Sequence, residues 1–130
     1  AAVFNPNLAT ELPIQAVIFK GDAAQGERLS LLHCGRCHVI NASNRMKGMG
    51  ATPSFGVLRT LDDWQSRFST FYVLNPHPSF TQIVDVTTAF DPAHPSPIHP
   101  LTLTQGGLDA ILAYVSTIEP ADLGAPLQSQ

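Results

Sequence analysis

The sequence predicts a mainly α-helical domain with about three main helices and little sheet. Three segments carry apolar residues at helical spacing, and each begins beside a residue type that favours helix starts. Apolar residues make up 44% of the 130 residues and charged residues only 13%, which is typical of one folded domain rather than a disordered chain. We therefore expect a single core and a surface of low charge.

Irregular segments are predicted at both ends, an N-terminal arm at residues 1–20 and a C-terminal surface tail at residues 119–130. In the arm, prolines and short apolar pieces follow no period, and a short strand in IQAVIF, residues 14–19, fits its composition. The longest apolar run there, AVIF at 16–19, is far too short to span a membrane. The opening letters AAVFNPN resemble a chain after signal-peptide cleavage, so we expect an exported, periplasmic protein.

The first helix is predicted over residues 22–36. Asp22 is a common helix-capping residue, and Ala23, Gly26 and Leu29 follow on one helical stripe. The helix runs directly into HCGRCH, which contains both cysteines of the chain.

The second helix is predicted over residues 60–74, after an extended loop at 41–58 that holds three glycines and one proline. Its apolar residues Leu61, Trp64 and Phe68 recur at helical spacing. The letters NPHP that follow are expected to end it, because the residue before a proline disfavours helix.

The third helix is predicted over residues 103–118, with Thr104 as its cap. Before it, residues 75–100 form a long proline-rich connection with a little strand at QIVDVT, and loops of this length usually serve a function or are anchored. The apolar face of the third helix comprises Leu108, Ile111, Leu112 and Val115. Three short helices make a poor core for this length of chain, so we expect something large and apolar at the centre.

Cys34, Cys37 and His38 form the pattern Cys-x-x-Cys-His, the attachment signature of a c-type haem. Two thiols at this spacing lie on one side of a helix end, where they can bond to the two vinyl groups of a porphyrin while the next residue offers an imidazole to iron. A disulfide would close a very small loop with little entropic benefit. A thioredoxin-type pair needs a βαβ setting that the sequence does not predict, and structural zinc needs four ligands.

The segments on either side of the predicted core resemble class I c-type cytochromes. GDAAQGERLSLLHCGRCH is similar to the N-terminal helix of that family, with Gly26 at the position where the family packs a glycine against its C-terminal helix. LTLTQGGLDAILAYVSTI is similar to that C-terminal helix, with Tyr114 as the aromatic contact. The resemblance implies a cytochrome c-like fold over residues 21–118, wrapped around one covalently bound haem c, with residues 75–100 as an extended distal loop.

GMGATPSFGVL resembles a Gly-Pro-x-Leu segment of the same family. There the proline carbonyl accepts a hydrogen bond from the proximal histidine, so the resemblance implies that Pro53 orients His38, the proximal iron ligand. Such a bond fixes the imidazole tautomer and strengthens it as a donor to the metal. A plain turn proline is the alternative.

The sixth iron ligand is expected to be His99. The family usually places Met-Pro shortly before its last helix, and this chain has His-Pro there. The alternatives are His94, His77, Met46, Met49 and an open site. Two imidazole ligands would leave the reduction potential below that of a cytochrome with one histidine and one methionine ligand.

These features imply a monomeric carrier of single electrons between redox proteins, including the case of a cytochrome subunit that serves a dehydrogenase. A haem sensor that binds O2, NO or CO through a displaceable distal ligand is the alternative. The net charge of −3 argues against nucleic acid as a partner. The carboxylates are scattered through caps and loops with no pairing of nucleophile and base, so we expect no catalytic residues and no enzyme activity.

Overall fold

The computed structural model describes residues 19–124, so the predictions for residues 1–18 and 125–130, including nearly all of the segment considered for a strand, lie outside the described residues. The regular elements in chain order are helix α1 (Ala23–Leu29), a π-helical turn (Ser30–Cys34), a 3-10 turn (Ala42–Asn44), α2 (Phe55–Leu58), α3 (Trp64–Ser69), 3-10 turns at Phe71–Val73 and His77–Ser79, β1 (Thr81–Ile83), β2 (Leu101–Leu103) and α4 (Gln105–Ser116). The described region is mainly helical with little sheet, as predicted. None of its helices is both long enough and apolar enough to cross a bilayer.

Helix α1 confirms the first predicted helix, with Asp22 as its N-cap. The Asp22 carboxylate accepts a hydrogen bond from the backbone N–H of Ala24 at 2.9 Å. The π-helical turn then extends the helix to Cys34, because the N–H of Gly35 donates to the carbonyl of Ser30, five residues back, at 2.8 Å. Turns of this kind occur frequently at functional sites. The helical segment thus delivers the first cysteine at its end.

Helices α1 and α4 touch backbone to backbone. A Cβ atom at Gly26 would lie 1.8 Å from the carbonyl oxygen of Ala110 and 2.8 Å from the Cβ of Tyr114, and one at Gly21 would lie 2.3 Å from the Ala110 nitrogen. The predicted packing of Gly26 against the last helix, with Tyr114 at the contact, is therefore confirmed. Helix α4 begins as predicted at Thr104, whose hydroxyl accepts from the Gly107 N–H at 2.9 Å.

The core lies between α4, the strands and the turns that follow the cysteines. Its buried apolar side chains come from α2, α3, α4, both strands and the segment just after the cysteines, so short elements far apart in the sequence share one core. These side chains are Ile40, Phe55, Phe68, Ile83, Leu101, Leu103, Ile111, Leu112, Tyr114 and Val115.

Helix α3 is shorter than predicted. It occupies Trp64–Ser69 instead of residues 60–74 and is followed by a separate 3-10 turn. The hydroxyls of Ser69 and Thr70 both donate to the carbonyl of Ser66, at 3.0 and 2.7 Å. Such side-chain bonds compete with the helical backbone bonds, and the aromatic and β-branched residues that follow are weak helix formers.

The segment at residues 41–58 contains more structure than expected, and the little strand expected at QIVDVT corresponds in part to β1. The loop at residues 41–58 holds the 3-10 turn Ala42–Asn44 and helix α2. Within residues 75–100, β1 pairs with β2 in parallel, with Thr81 opposite Leu101 and Ile83 opposite Leu103. Parallel strands require a crossover of about a dozen or more residues, which the proline-rich residues 84–100 supply. The connection is therefore anchored at both ends to buried strands.

Replacing Gly26 with alanine tests the contact between α1 and α4. The new methyl group overlaps backbone atoms that cannot rotate away, so we expect Gly26→Ala to lower the free energy of unfolding by about 1–3 kcal/mol or more, measured by urea denaturation. Gly106→Ala, in the first turn of α4, is the control: its Cβ would meet only the Thr104 hydroxyl at 3.8 Å. Better helix propensity should leave that variant unchanged or stabilise it by up to about 1 kcal/mol. Equal stability of the two variants would contradict the close contact.

Candidate functional site

The segment Cys34–His38 curls around one carbonyl group at the end of the first helical segment. The carbonyl oxygen of Cys34 accepts hydrogen bonds from the backbone N–H groups of Cys37, at 3.1 Å, and His38, at 2.8 Å. Both cysteines are free thiols. The structure thus brings the two thiols and the imidazole of the predicted motif together in one tight turn.

The Cys34 thiol packs against the core cluster, and this burial raises its pKa to about 12, although the positive charge of Arg36 acts in the opposite direction. The thiol is therefore neutral at physiological pH, and a neutral thiol is a poor metal ligand. Conversion to a thioether would place no charge in this apolar environment. The surroundings of Cys34 thus suit a thioether better than a metal-bound thiolate.

The imidazole of His38 is held by the carbonyl of Pro53, the residue for which this role was predicted. The distance from His38 Nδ1 to the Pro53 oxygen is 2.6 Å. Because a carbonyl can only accept, Nδ1 carries the proton and Nε2 keeps its lone pair for a metal. Burial is the largest effect on the pKa of His38 and lowers it. The hydrogen bond to Pro53 raises this pKa, and His77 lowers it by a smaller amount. The His38 imidazole is consequently neutral at physiological pH.

Asn44 organises the motif, and the sequence reasoning did not identify it. Its side-chain oxygen accepts from the backbone N–H groups of Ile40, at 2.8 Å, and Asn41, at 3.1 Å. Its amide nitrogen donates to the carbonyls of His38, at 3.0 Å, and Gly35, at 3.4 Å. Asn44 is buried and completes a capping box with Asn41. The spacing N-A-S-N after the motif was the signal, since capping residues recur at this interval.

His77 lies opposite His38. The two ring centres are 6.3 Å apart and the ring planes are within 6° of parallel. The Nδ1 atom of His77 lies 2.8 Å from the carbonyl oxygen of Leu74, so this imidazole also has its Nδ1 occupied and its Nε2 free. The rings of Phe71 and Phe80 flank His77, with centres at 5.2 and 5.7 Å.

His99, the expected sixth iron ligand, lies in the segment just before β2. The residue is exposed, and its backbone oxygen accepts a hydrogen bond from the Arg36 guanidinium at 2.9 Å. His99 also lies close enough to His33 to influence its charge. The pKa of His33 is lowered mainly by burial, then by the charge of Arg36, and least by His99. The pairing of β2 with β1 and the bond to Arg36 fix this part of the chain, whereas the turn before β1 brings His77 to face His38.

The remaining candidates discussed for a second iron ligand, apart from His77, are exposed. His94 is exposed, and its Nδ1 lies 3.4 Å from the Asp91 carboxylate. The side chains of Met46 and Met49 are 89% and 58% exposed. The backbone N–H of Met49 donates to the carbonyl of Cys37 at 3.0 Å, which puts this loop beside the cysteines.

The donor set fits the expected haem. Two thiols in one tight turn can hold a porphyrin, and two imidazoles with free Nε2 atoms can bind an iron whose other four ligands are porphyrin nitrogens. Within residues 19–124, no cluster of three or more His, Cys, Asp or Glu side chains is arranged to hold a metal ion by itself.

Comparison with known proteins gives one significant relative. The chain is 28% identical over 99 residues to the curated protein Cytochrome c-552 of Bradyrhizobium diazoefficiens, and the matched region covers 76% of this chain and 77% of that protein. No family model matches the chain, and no solved structure matches it significantly. The similarity indicates a c-type cytochrome, in agreement with the resemblance drawn from the motifs.

Replacing Asn44 with alanine tests its role in shaping the motif. The change leaves two backbone N–H groups and two carbonyls without their partner, so we expect a loss of about 1–3 kcal/mol in the free energy of unfolding, measured by urea denaturation. Ser43→Ala removes one exposed hydrogen bond, from the Ser43 hydroxyl to the Asn41 side chain, and should cost only about 0.5 kcal/mol, at the low end for a hydrogen bond. An Asn44→Ala variant as stable as Ser43→Ala would show that these bonds contribute nothing.

Proposed function

We propose that the chain is a monohaem c-type cytochrome that carries single electrons between redox partners. The observation that carries this proposal is the tight turn of Cys34, Cys37 and His38, with the His38 ring held by Pro53 so that its Nε2 is free. The similarity to Cytochrome c-552 supports it independently. An electron carrier needs no catalytic residues, so we also propose that the chain is not an enzyme.

Cys34 and Cys37 would hold the haem covalently. Each thiol adds across one vinyl double bond: the sulfur bonds to one carbon and the hydrogen goes to the other, so no oxidant or reductant is needed. When bound, the haem supplies an iron that exchanges one electron at a time between its ferric and ferrous states. Because the two thioethers do not depend on the state of the iron, the chain retains the group through every cycle.

His38 would bind the iron on one side through Nε2. The hydrogen bond from Nδ1 to Pro53 fixes the tautomer and increases the donor strength of the ring. Asn44 supports the same residue from the backbone, through its bond to the His38 carbonyl. Burial keeps the ring neutral, since it lowers the pKa of His38. The two hydrogen bonds thus orient His38, and its burial keeps the ring in the neutral form that can bind iron.

A second imidazole would complete the iron coordination. Two strong protein ligands leave no vacant position for a substrate, which favours electron transfer over ligand binding. An imidazole in place of methionine also lowers the reduction potential. We therefore propose a carrier with a potential below that of a cytochrome with histidine and methionine ligands.

The loop beside the cysteines is a candidate contact for redox partners. Arg45, Met46, Lys47 and Met49 are all exposed, and the Met49 backbone is bonded to Cys37. Exposed methionines are adaptable contacts, and neighbouring cations steer an acidic partner into a weak, short-lived complex. We propose that the partners are redox proteins, including a dehydrogenase, and that the chain is a monomer. We also propose that it is exported to the periplasm, a localisation that subcellular fractionation would test.

Covalent attachment predicts that acid–acetone leaves the red pigment with the protein. The alkaline pyridine spectrum of the reduced wild type should be that of a haem with both vinyl groups saturated. In Cys34→Ala and Cys37→Ala the absorption bands should shift to longer wavelength, since one vinyl group remains conjugated. The double variant should lose its pigment to the solvent. A colourless wild-type protein, or one whose pigment is extracted, would overturn the proposal.

Carbon monoxide separates an electron carrier from a sensor of small ligands. We expect the Soret band of the ferrous wild-type protein to remain unchanged after CO addition, because two imidazole side chains would already bind the iron. A rapid shift of the band at low CO concentration would instead favour the sensor.

A further inference from the structure

We propose that the imidazole of His77, rather than that of His99, is the second axial ligand of the haem iron, opposite His38. This inference rests on the proposed function and assigns the role to one of the alternatives that the sequence left open, a residue of the NPHP segment after the second predicted helix.

The spacing of the two rings is the first reason. A bond between an imidazole nitrogen and a metal is about 2.0–2.1 Å long, and the atoms of a five-membered ring with bonds near 1.33 Å lie about 1.1 Å from its centre. Two imidazoles bound end-on to one metal therefore have ring centres about 6.2–6.4 Å apart. The centres of His38 and His77 are 6.3 Å apart, whereas rings in face-to-face contact would lie about 3.5–4.0 Å apart.

The hydrogen bonds of the two rings are the second reason. His38 Nδ1 is bonded to the carbonyl of Pro53 and His77 Nδ1 to the carbonyl of Leu74, at 2.6 and 2.8 Å. A metal-bound histidine commonly donates its other ring N–H to a carbonyl in this way. Both residues therefore have the same tautomer, and both have Nε2 available.

The rigidity of the segment around His77 is the third reason. The residue begins the 3-10 turn His77–Ser79, and its own backbone N–H donates to the carbonyl of Leu74 at 3.0 Å. At the other end of the turn, the carbonyl of Phe80 accepts from the N–H of Leu101 at 2.8 Å, which ties the turn to the buried strand pair. A ligand on an anchored turn keeps its position with little loss of conformational entropy on binding.

The chemistry of the surroundings points to haem iron rather than a free metal ion. Two imidazoles supply only two donors, and the described residues offer no third His, Cys, Asp or Glu to join them. A porphyrin supplies four nitrogens, and the rings of Phe71 and Phe80 beside His77 form an apolar environment compatible with its macrocycle. His99 lacks these features, since it is exposed and its carbonyl is held by Arg36.

The test compares His77→Ala with His99→Ala in the holoprotein, and reads the ferric absorption spectrum and CO binding to the ferrous form. We expect His77→Ala to lose the low-spin ferric spectrum and to bind CO, and added imidazole to restore the wild-type spectrum. His99→Ala should keep the wild-type spectrum and should not bind CO. The reverse result, with the change in His99→Ala and not in His77→Ala, would overturn the inference.

A second variant keeps the test decisive if His77→Ala is not recovered. His77→Met retains a ligand of different chemistry, so the ferric protein should gain a sulfur-to-iron band in the near infrared and its midpoint potential should shift upward. An unchanged near-infrared spectrum and potential would show that residue 77 does not bind the iron.

The pyridine spectrum of each variant separates this inference from the proposed function. Covalent haem in all variants with no effect at residue 77 would reject His77 as the ligand and leave the cytochrome intact. Absence of covalent haem from the wild type would reject the cytochrome itself.

Discussion

The backbone contact between α1 and α4 is the constraint on which the rest of the structure depends. Gly26 is buried under the carbonyl of Ala110, which leaves no room for a side chain between the two helices. Because the π-helical turn continues directly from α1, the contact also fixes where the helical segment ends and therefore where Cys34 lies. The position of the haem-binding motif follows from a packing requirement, not from the chemistry of the motif.

Beyond the helix end, the backbone is shaped by side-chain and carbonyl contacts rather than by regular structure. Asn44 binds the carbonyls of Gly35 and His38 on either side of the second cysteine, and Pro53 holds the His38 ring. These contacts are local in sequence, so the segment from the first cysteine to Pro53 forms one unit. The residue that faces this unit, His77, reaches it through long-range strand pairing. The proposed iron site therefore combines residues fixed by contacts local in sequence with one residue, His77, that is positioned by tertiary structure.

This division explains what could be predicted from the sequence. The caps at Asp22 and Thr104 have local signals, whereas the close packing of Gly26 was implied by the resemblance to class I c-type cytochromes, and all three are confirmed. The early end of α3 could not be read from apolar periodicity, because serine and threonine hydroxyls compete for the helical carbonyls. The expectation for His99 relied on its place before the last helix. The facing of His77 toward His38 depends on how residues 75–100 fold back, which has no local signal.

The central claim is that one haem is bonded covalently to Cys34 and Cys37. Intact-protein mass spectrometry under denaturing conditions tests it most directly, because denaturation releases a cofactor held only by coordination. We expect a mass equal to that of the chain plus one haem, with the added mass on the proteolytic peptide that contains both cysteines. The mass of the polypeptide alone, from a pigmented sample, would contradict it.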